Sequence, residues 1–276
     1  MSHDHKRENA KFSLLFFVTN ITTSLLGIFY VVYLISPSVW KVQIEASVVS
    51  IVIIGLITHL LGAFVEFFFH RYVLHAPVIP FLSYFYRQHT HHHSLTRVTM
   101  KRVSGIVENY YPILEEKQYE ASFFPWYSLL VFSGIATPTF VLIQWVYPTL
   151  PILLGGYSGI ALSMLLYETL HALEHVDVVR WRPLLEHRRF GSFWKLLYGF
   201  HLRHHASICS NESISGFFGF PLPDILFGTY MNPESLYSHG ERGNPKDFIA
   251  PKPLFFIRWL DNLAEVSVKH SREKKC

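Results

Sequence analysis

The stretch "ASVVSIVIIGLITHLLGAFVEFFFHRYVLH", Ala46 to His75, decides the fold class. Its first part, Ala46–Phe69, carries one acid (Glu66) and one imidazole (His59) in an otherwise uncharged run. A helix of about 20 predominantly apolar residues crosses a bilayer, so the run reads as a membrane span. It gives way abruptly to "HRYVLH", and the span therefore delivers His70 and His75 to a membrane surface.

Three further runs read the same way: Phe12–Ile35, Ser122–Tyr147 and Leu153–Leu170. Pro138 interrupts the third, which membrane helices tolerate when neighbours satisfy the freed carbonyl. The fourth is short and bears glycines. Hydrophobic residues make up 50% of the 276 residues and charged ones 16%, against about 25% charged in an ordinary soluble chain. The expected fold is all-α and membrane-integral, with four transmembrane helices and a cytoplasmic helical cap built from residues 70–121 and 171–276. No internal repeat, low-complexity tract or linker divides the chain, so residues 1–276 read as one domain.

Basic residues orient it. Lys6, Arg7 and Lys11 precede the first span, and Arg71, Arg87, Arg97, Lys101, Arg102 and Lys117 lie between the second and third. Only Lys41 lies between spans one and two, and the turn between three and four has neither Lys nor Arg. The positive-inside rule puts both termini and both long polar segments in the cytoplasm. A multi-pass protein of a bacterial inner membrane or of the endoplasmic reticulum fits equally, and no cleavable signal peptide is expected. The net charge of +4 is thus a topology signal. No basic stripe with interleaved aromatics points to nucleic acid. Cys209 and Cys276 are too few and too far apart for a disulfide framework or a thiolate metal site.

Ten of the 17 histidines fall into spaced groups: "HRYVLH" (His70, His75), "HTHHH" (His89, His92, His93), "HALEH" (His171, His175) and "HLRHH" (His201, His204, His205). Positions i, i+3 and i+4 share a helix face, so the second, third and fourth groups each gather imidazoles on one side of a helix. Neighbours such as His92 and His93 diverge by about 100°, enough to serve two ions side by side. His70 and His75 do not share a face on a straight helix, and a bend or an end is expected between them, with Pro77 helping to stop the helix. All four groups lie on the same expected side of the membrane, and ten imidazoles exceed what one ion takes. Two metals are the natural count. An imidazole set without thiolate suits iron, zinc, copper or nickel, and leaves iron and zinc open. His59 reads as a packed or hydrogen-bonded residue, His91 as pointing away from its neighbours' face, and His187 as a surface residue.

Carboxylates close to the groups are candidates to orient them, since an acid accepting an imidazole N–H fixes the tautomer. Glu66 lies one turn before His70, and Glu168 three residues before His171. Weaker candidates are Glu174, open to solvent on this reading, Asp224, placed to cap a turn near Pro223, and Asn211. Phe190, Phe193, Trp194, Tyr198 and Phe200 form either an interfacial lid or a plain packing helix. "PLFFIRWLDNL" (Pro253–Leu263) reads as an amphipathic helix on the membrane face.

The order HxxxxH, HxxHH, HxxxH, HxxHH resembles the fatty acid hydroxylase and sterol desaturase superfamily of membrane di-metal oxygenases, most closely its fatty acid 2-hydroxylase branch. "GFPLPDILFGTY" (Gly219–Tyr230) is similar to that family's closing D-x-x-FGT segment, so the resemblance covers roughly His70 to Tyr230. It implies that the ten histidines hold two iron ions, with zinc able to occupy the site after purification. It also implies O₂ as co-substrate and a lipid whose C–H bond is hydroxylated; a desaturase built on the same site is the alternative. The b-type cytochrome domain fused to some fatty acid 2-hydroxylases has no counterpart before the first span. Electrons are therefore expected from a separate donor, a b-type cytochrome or a ferredoxin with its reductase. Val107–Pro125 matches no known substrate class. Two other classes stand beside this reading: a metal transporter, which would line its path with ligands across the spans, and a bis-imidazole haem protein, for which only His59 lies deep enough.

Overall fold

The computed structural model describes residues 14–115, 118, 122–237 and 239–273. Four of its helices are long and apolar enough to cross a membrane: α1 (Leu14–Ile35), α3 (Val48–Phe69, continuing to Leu74), α5 (Ser128–Val146) and α6 (Ile152–Glu174). A short α2 (Pro37–Glu45) joins α1 to α3. The remaining helices are α4 (Ser83–Leu95), α7 (Val178–Leu185), α8 (Gly191–Ala206), α9 (Leu222–Phe227) and α10 (Phe255–Glu273). One small antiparallel ribbon pairs β1 (Val98–Met100) with β2 (Val107–Asn109), Thr99 opposite Glu108.

Two spans differ from their expected limits. The third helix begins at Ser128, because Phe124, Pro125, Trp126 and Tyr127 form the turn that enters it. The fourth runs past Leu170 to Glu174, so His171 stands on the spanning helix itself.

The glycines of the fourth span have a packing role. Gly155, Gly159 and Ser163 recur every four residues on the face of α6 that meets α3. A β-carbon on Gly159 would lie 2.6 Å from the Gly55 carbonyl oxygen, and one on Gly155 2.7 Å from the Ile54 side chain. Small residues let two membrane helices approach closely where hydrophobic exclusion cannot drive them together. The consequence is visible in burial: 56% of the apolar window of α6 is buried, against 6%, 11% and 17% for α1, α3 and α5. The least apolar span is the one the others shield from lipid.

Polar clamps hold this pair in register. Nε2 of His59 on α3 accepts the Phe218 N–H at 3.2 Å, and its Nδ1 donates to Ser163 Oγ at 2.8 Å, whose own proton goes to the Gly159 carbonyl. At the opposite end, the buried Gln43 side-chain carbonyl accepts both Leu153 and Leu154 N–H groups at 3.0 Å. These are donors that the start of α6 otherwise leaves unpaired. Both α3 and α6 therefore run from that end towards their histidines and finish side by side.

Beyond the helix ends, Val98, Val107, Tyr111, Trp181, Leu185, Tyr198, Leu202 and Leu236 form a separate core that fixes α7 and α8. The aromatic run before the last histidine group is divided by it: Tyr198 and Phe200 are buried, while Phe190 and Phe193 are exposed. Helix α10 is tied to the end of α3 by Arg71, whose Nε and Nη2 donate to the two Asp261 carboxylate oxygens at 2.7 and 2.8 Å.

Candidate metal centre

The end of α3 neither stops nor bends away between His70 and His75. It widens into one π-helical turn, His70–Leu74, closed by the His75 N–H donating to the His70 carbonyl at 3.1 Å. On an α-helix these two positions stand about 140° apart; a turn closed over five residues brings them back to one side. The imidazole rings lie 4.9 Å apart. Pro77 follows the turn instead of cutting it short.

The ring nitrogens converge in two sets. One atom each from His70, His75, His89, His93 and His204 lies within 4.8 Å of the others, and so does one each from His92, His175, His201 and His205. Helix α4 supplies His89 and His93 to the first set and His92 to the second; α8 supplies His204 to the first and His201 and His205 to the second. Adjacent residues on both helices thus face different sets, and the sets stand side by side, with His93 stacked on His205 at 4.1 Å. His171 is buried beside the second set, its ring 4.8 Å from those of His175 and His201 and 5.0 Å from His92. It lies outside both four- and five-membered groupings. His91 and His187 are exposed.

Outer hydrogen bonds fix five tautomers. Nδ1 of His70 donates to the Glu212 carbonyl (2.5 Å), that of His175 to the Tyr111 carbonyl (2.7 Å), that of His204 to the Ser210 carbonyl (2.7 Å) and that of His205 to the Thr96 carbonyl (2.9 Å). The Ser122 hydroxyl gives its proton to the Gln118 carbonyl and so accepts from His92 Nδ1 at 2.8 Å. In each of these rings the proton sits on Nδ1, leaving Nε2 as a bare lone pair.

The Nε2 atoms of the two sets crowd one another. His70 Nε2 lies 2.9 Å from His89 Nε2, His75 Nε2 2.9 Å from His204 Nε2, and His201 Nε2 3.1 and 3.0 Å from the Nε2 atoms of His175 and His205. Ring nitrogens this close either share a proton or surround a cation. Nitrogens about 2.1 Å from one ion stand about 3.0 Å apart on the adjacent edges of an octahedron and about 3.4 Å in a tetrahedron. The observed separations are of this order, and each of the two donor sets could hold a borderline metal ion.

Burial keeps the site ready. It pushes the imidazoles of His75, His89, His92, His93, His201, His204 and His205 well below their ordinary range, with neighbouring histidines adding to the effect in each. His175 falls to about 3, mainly through burial and against the pull of the Tyr111 carbonyl. All eight are neutral near pH 7, as metal ligands must be.

None of the expected carboxylates bonds a histidine directly. Glu66 accepts from the Ser215 N–H at 2.8 Å and from its hydroxyl at 2.5 Å. Glu168 accepts the Phe124 N–H at 2.8 Å. Glu174 is fully buried, not solvated, and has no hydrogen-bond partner among the described residues. Asn211 bonds the Phe200 and Met231 carbonyls at 2.8 Å each. Asp224 accepts from the Glu212 and Ser213 N–H groups at 2.7 and 2.8 Å, and from the Thr229 hydroxyl at 2.6 Å. Glu66, Asn211 and Asp224 therefore pin the strap Ser210–Ser215, and the strap's own carbonyls orient His70 and His204. These acids act through backbone.

The residues that sequence reasoning passed over are Glu212, Arg71 and Asp261. Glu212 is fully buried, one carboxylate oxygen 2.7 Å from Arg71 Nη1 and the other 3.5 Å from His70 Nδ1. Arg71 links it to Asp261 across 190 positions of sequence. Such pairings leave no local pattern; the one available signal was an arginine inside the first histidine group. Tyr111 and Ser122 belong to the Val107–Pro125 stretch, whose role is to supply acceptors for His175 and His92.

A cavity of about 1120 Å³ lies between α1, α2, α5 and the start of α6 and is lined by no histidine. A cleft of about 30 Å³ does reach the site, walled by Leu74, Tyr84, Phe85, Phe124 and Tyr167 with His89 and Ser122. No family model, curated protein or solved structure matches this chain.

Proposed function

We propose that this protein is a membrane-embedded, O₂-dependent di-iron hydroxylase of a lipid, an oxidoreductase whose substrate is a fatty acyl chain or a related lipid. One observation carries the reading: two adjacent sets of buried, neutral histidine nitrogens, their lone pairs converging at the end of a four-helix membrane bundle. The resemblance of the four histidine groups to the membrane oxygenases selects iron among the ions such donors suit.

His70, His75, His89, His93 and His204 would hold one ion, and His92, His175, His201 and His205 the other, with His171 beside it. Bound there, an iron pair supplies the power to oxidise an unactivated C–H bond with O₂ and electrons from a donor protein. The chain's own contributions are positional and electrostatic. Backbone carbonyls of Thr96, Tyr111, Ser210 and Glu212 keep the Nδ1 protons in place. Buried side chains exclude bulk water; His70, His92, His171, His175, His201 and His204 are at most 1% exposed.

The site's place at one end of the bundle also supports the reading over transport, since no file of ligands follows the spans. A lipid would approach through the aromatic cleft beside Leu74, which holds about one water-sized volume and so must open for a chain to enter. Positive-inside bias puts this end, with α4 and α7–α10, on the cytoplasmic face, where a b-type cytochrome or ferredoxin can reach it.

Mass spectrometry of lipids from cells expressing the wild type or His204→Ala tests the proposal. A lipid that gains one oxygen only with the wild type supports it and names the substrate. A product lighter by two hydrogens replaces it with a desaturase, and identical lipid profiles overturn it.

A further inference from the structure

The acid and the imidazole inside the α3 span, Glu66 and His59, both hold the backbone of one irregular segment. The Glu66 carboxylate accepts the Ser215 N–H at 2.8 Å, and the Gly216 N–H faces the same group. Nε2 of His59 accepts the Phe218 N–H at 3.2 Å, and the Phe217 and Phe218 rings lie 5.2 and 4.7 Å from the imidazole. At about 1.5 Å per residue, His59 stands roughly 15 Å from either end of Val48–Phe69, mid-depth in a hydrocarbon core about 30 Å thick. The chain then climbs back. The Phe227 ring lies 6.0, 4.9 and 5.5 Å from those of Phe64, Phe67 and Phe68, and the Phe227 carbonyl accepts the Leu254 N–H at 2.9 Å.

Non-helical backbone survives at that depth only where the protein satisfies its polar groups. The N–H groups here are satisfied one by one. Phe217 donates to the Phe220 carbonyl at 2.9 Å, Gly219 to that of Ser215 at 2.7 Å, Phe220 to that of Phe217 at 3.0 Å and Leu222 to that of Phe220 at 2.8 Å. With Ser215, Gly216 and Phe218 held by α3, every N–H from Ser215 to Leu222 has an acceptor, and Pro221 and Pro223 bring none. The outward side chains are apolar: Phe218, Phe220, Ile225 and Leu226 are 52, 50, 44 and 51% exposed. Phe218 has a φ of 52°, a backbone conformation that bulky residues rarely adopt. A turn facing water fills such a position with Gly, Asn or Asp; phenylalanine makes its tip apolar instead.

We propose that Ser215–Phe227 is a re-entrant element sunk into the leaflet on the histidine side, with Phe218, Phe220, Ile225 and Leu226 against lipid acyl chains. Depth selects that partner, because the tip lies beside the middle of a span whose own Ile57 and Leu61 are exposed there. The proposal rests on α3 crossing the bilayer, and on neither the metals nor the reaction. It gives the two costly polar residues of the span a common task, which is to receive the N–H groups of the descending backbone. It also gives the strap an anchor. Ser210 and Glu212, whose carbonyls orient His204 and His70, lead directly into the element.

Spin labelling of the full-length protein in phosphatidylcholine vesicles tests this. Nitroxides are attached one at a time through Phe218→Cys, Leu226→Cys, Ile57→Cys and Val103→Cys in a Cys209→Ser, Cys276→Ser background. Power-saturation electron paramagnetic resonance then compares collisions with O₂, which concentrates in hydrocarbon, and with a water-soluble nickel chelate. Ile57 is the lipid reference, and Val103, 100% exposed between β1 and β2, the water reference. The Phe218 label should match Ile57, with frequent O₂ collisions and loss of nickel contact, and the Leu226 label should read shallower than Phe218 but deeper than Val103. Nickel contact at Phe218 equal to that at Val103 overturns the proposal. Loss of both collision partners at Phe218 also overturns it, by showing the tip covered by protein such as a second copy of the chain. Nickel contact at Ile57 removes the span and the re-entrant element with it. In His59→Leu, which deletes the acceptor for the Phe218 N–H, nickel contact at the tip should rise while the Ile57 label stays dry; an unchanged tip overturns the anchoring by His59.

Discussion

At the scale of single residues, the neutral imidazoles set a pH limit. His175 holds its proton only below about pH 3 in the fold, against an ordinary value of 6.5, and seven other histidines are depressed in the same direction. Below pH 6.5 the unfolded chain takes up protons that the folded, metal-free chain refuses. Stability is therefore undiminished above pH 6.5 and falls as pH drops from there towards 3, by about 1.4 kcal/mol per pH unit for each histidine involved. Thermal unfolding of chelator-treated protein in detergent should show a flat Tm above about pH 6.5 and a steep decline below it; a Tm independent of pH contradicts the burial argument. Glu212 and Arg71 belong to this scale too. Substituting Glu212→Ala leaves the buried Arg71 with Asp261 and the Cys209 carbonyl, and losing one partner of a buried pair costs about 3–5 kcal/mol, so a sharply lower Tm than that of the wild type is expected.

At the scale of elements, two contacts are decisive. The α3–α6 interface has no room at Gly159, where a β-carbon meets the Gly55 carbonyl at 2.6 Å. Gly159→Leu must force the helices apart, and overpacking of this kind costs about 1–3 kcal/mol; detergent-solubilised protein should unfold at lower temperature, whereas Gly27→Leu, which meets nothing within 4 Å, should not. The π-helical turn is the second. One alanine inserted between Tyr72 and Val73 swings His75 to the far side of the helix and leaves the second histidine set intact. If the proposed pair of ions is bound, metal analysis should then find the ratio falling from two ions per chain towards one, and an unchanged ratio would mean that His75 is no ligand. The spacing of His89, His92 and His93 was legible because a helix converts i, i+3 and i+4 into direction. The HxxxxH pair was not, since a five-residue spacing has meaning only once the turn is known to widen.

At the scale of the whole molecule, four spans were legible from apolar length alone, and their ends were not. Proline and aromatic residues before Ser128 shift the third start, and α6 stays helical past Leu170 because its last turn is buried in protein instead of lipid. The strap Ser210–Ser215 and the Arg71–Asp261 clamp are pairings between distant segments, which no periodicity encodes. The proposed orientation makes its own prediction: in sealed cells, a cysteine placed at Thr149, between α5 and α6, should react with a membrane-impermeant maleimide from outside, and Cys209, which is exposed at the histidine end, only after permeabilisation. Labelling of both from one side would refute the topology. One feature of the site bears on how such a protein can vary. Thr96, Tyr111, Ser210 and Glu212 hold four of the histidines through backbone carbonyls, not side chains. No amino-acid replacement deletes a carbonyl, so these four hydrogen bonds survive alanine scanning even where the side chain, as at Glu212, has a separate partner of its own. What selection must preserve there is the path of the chain, and the changes it forbids are insertions, deletions and prolines.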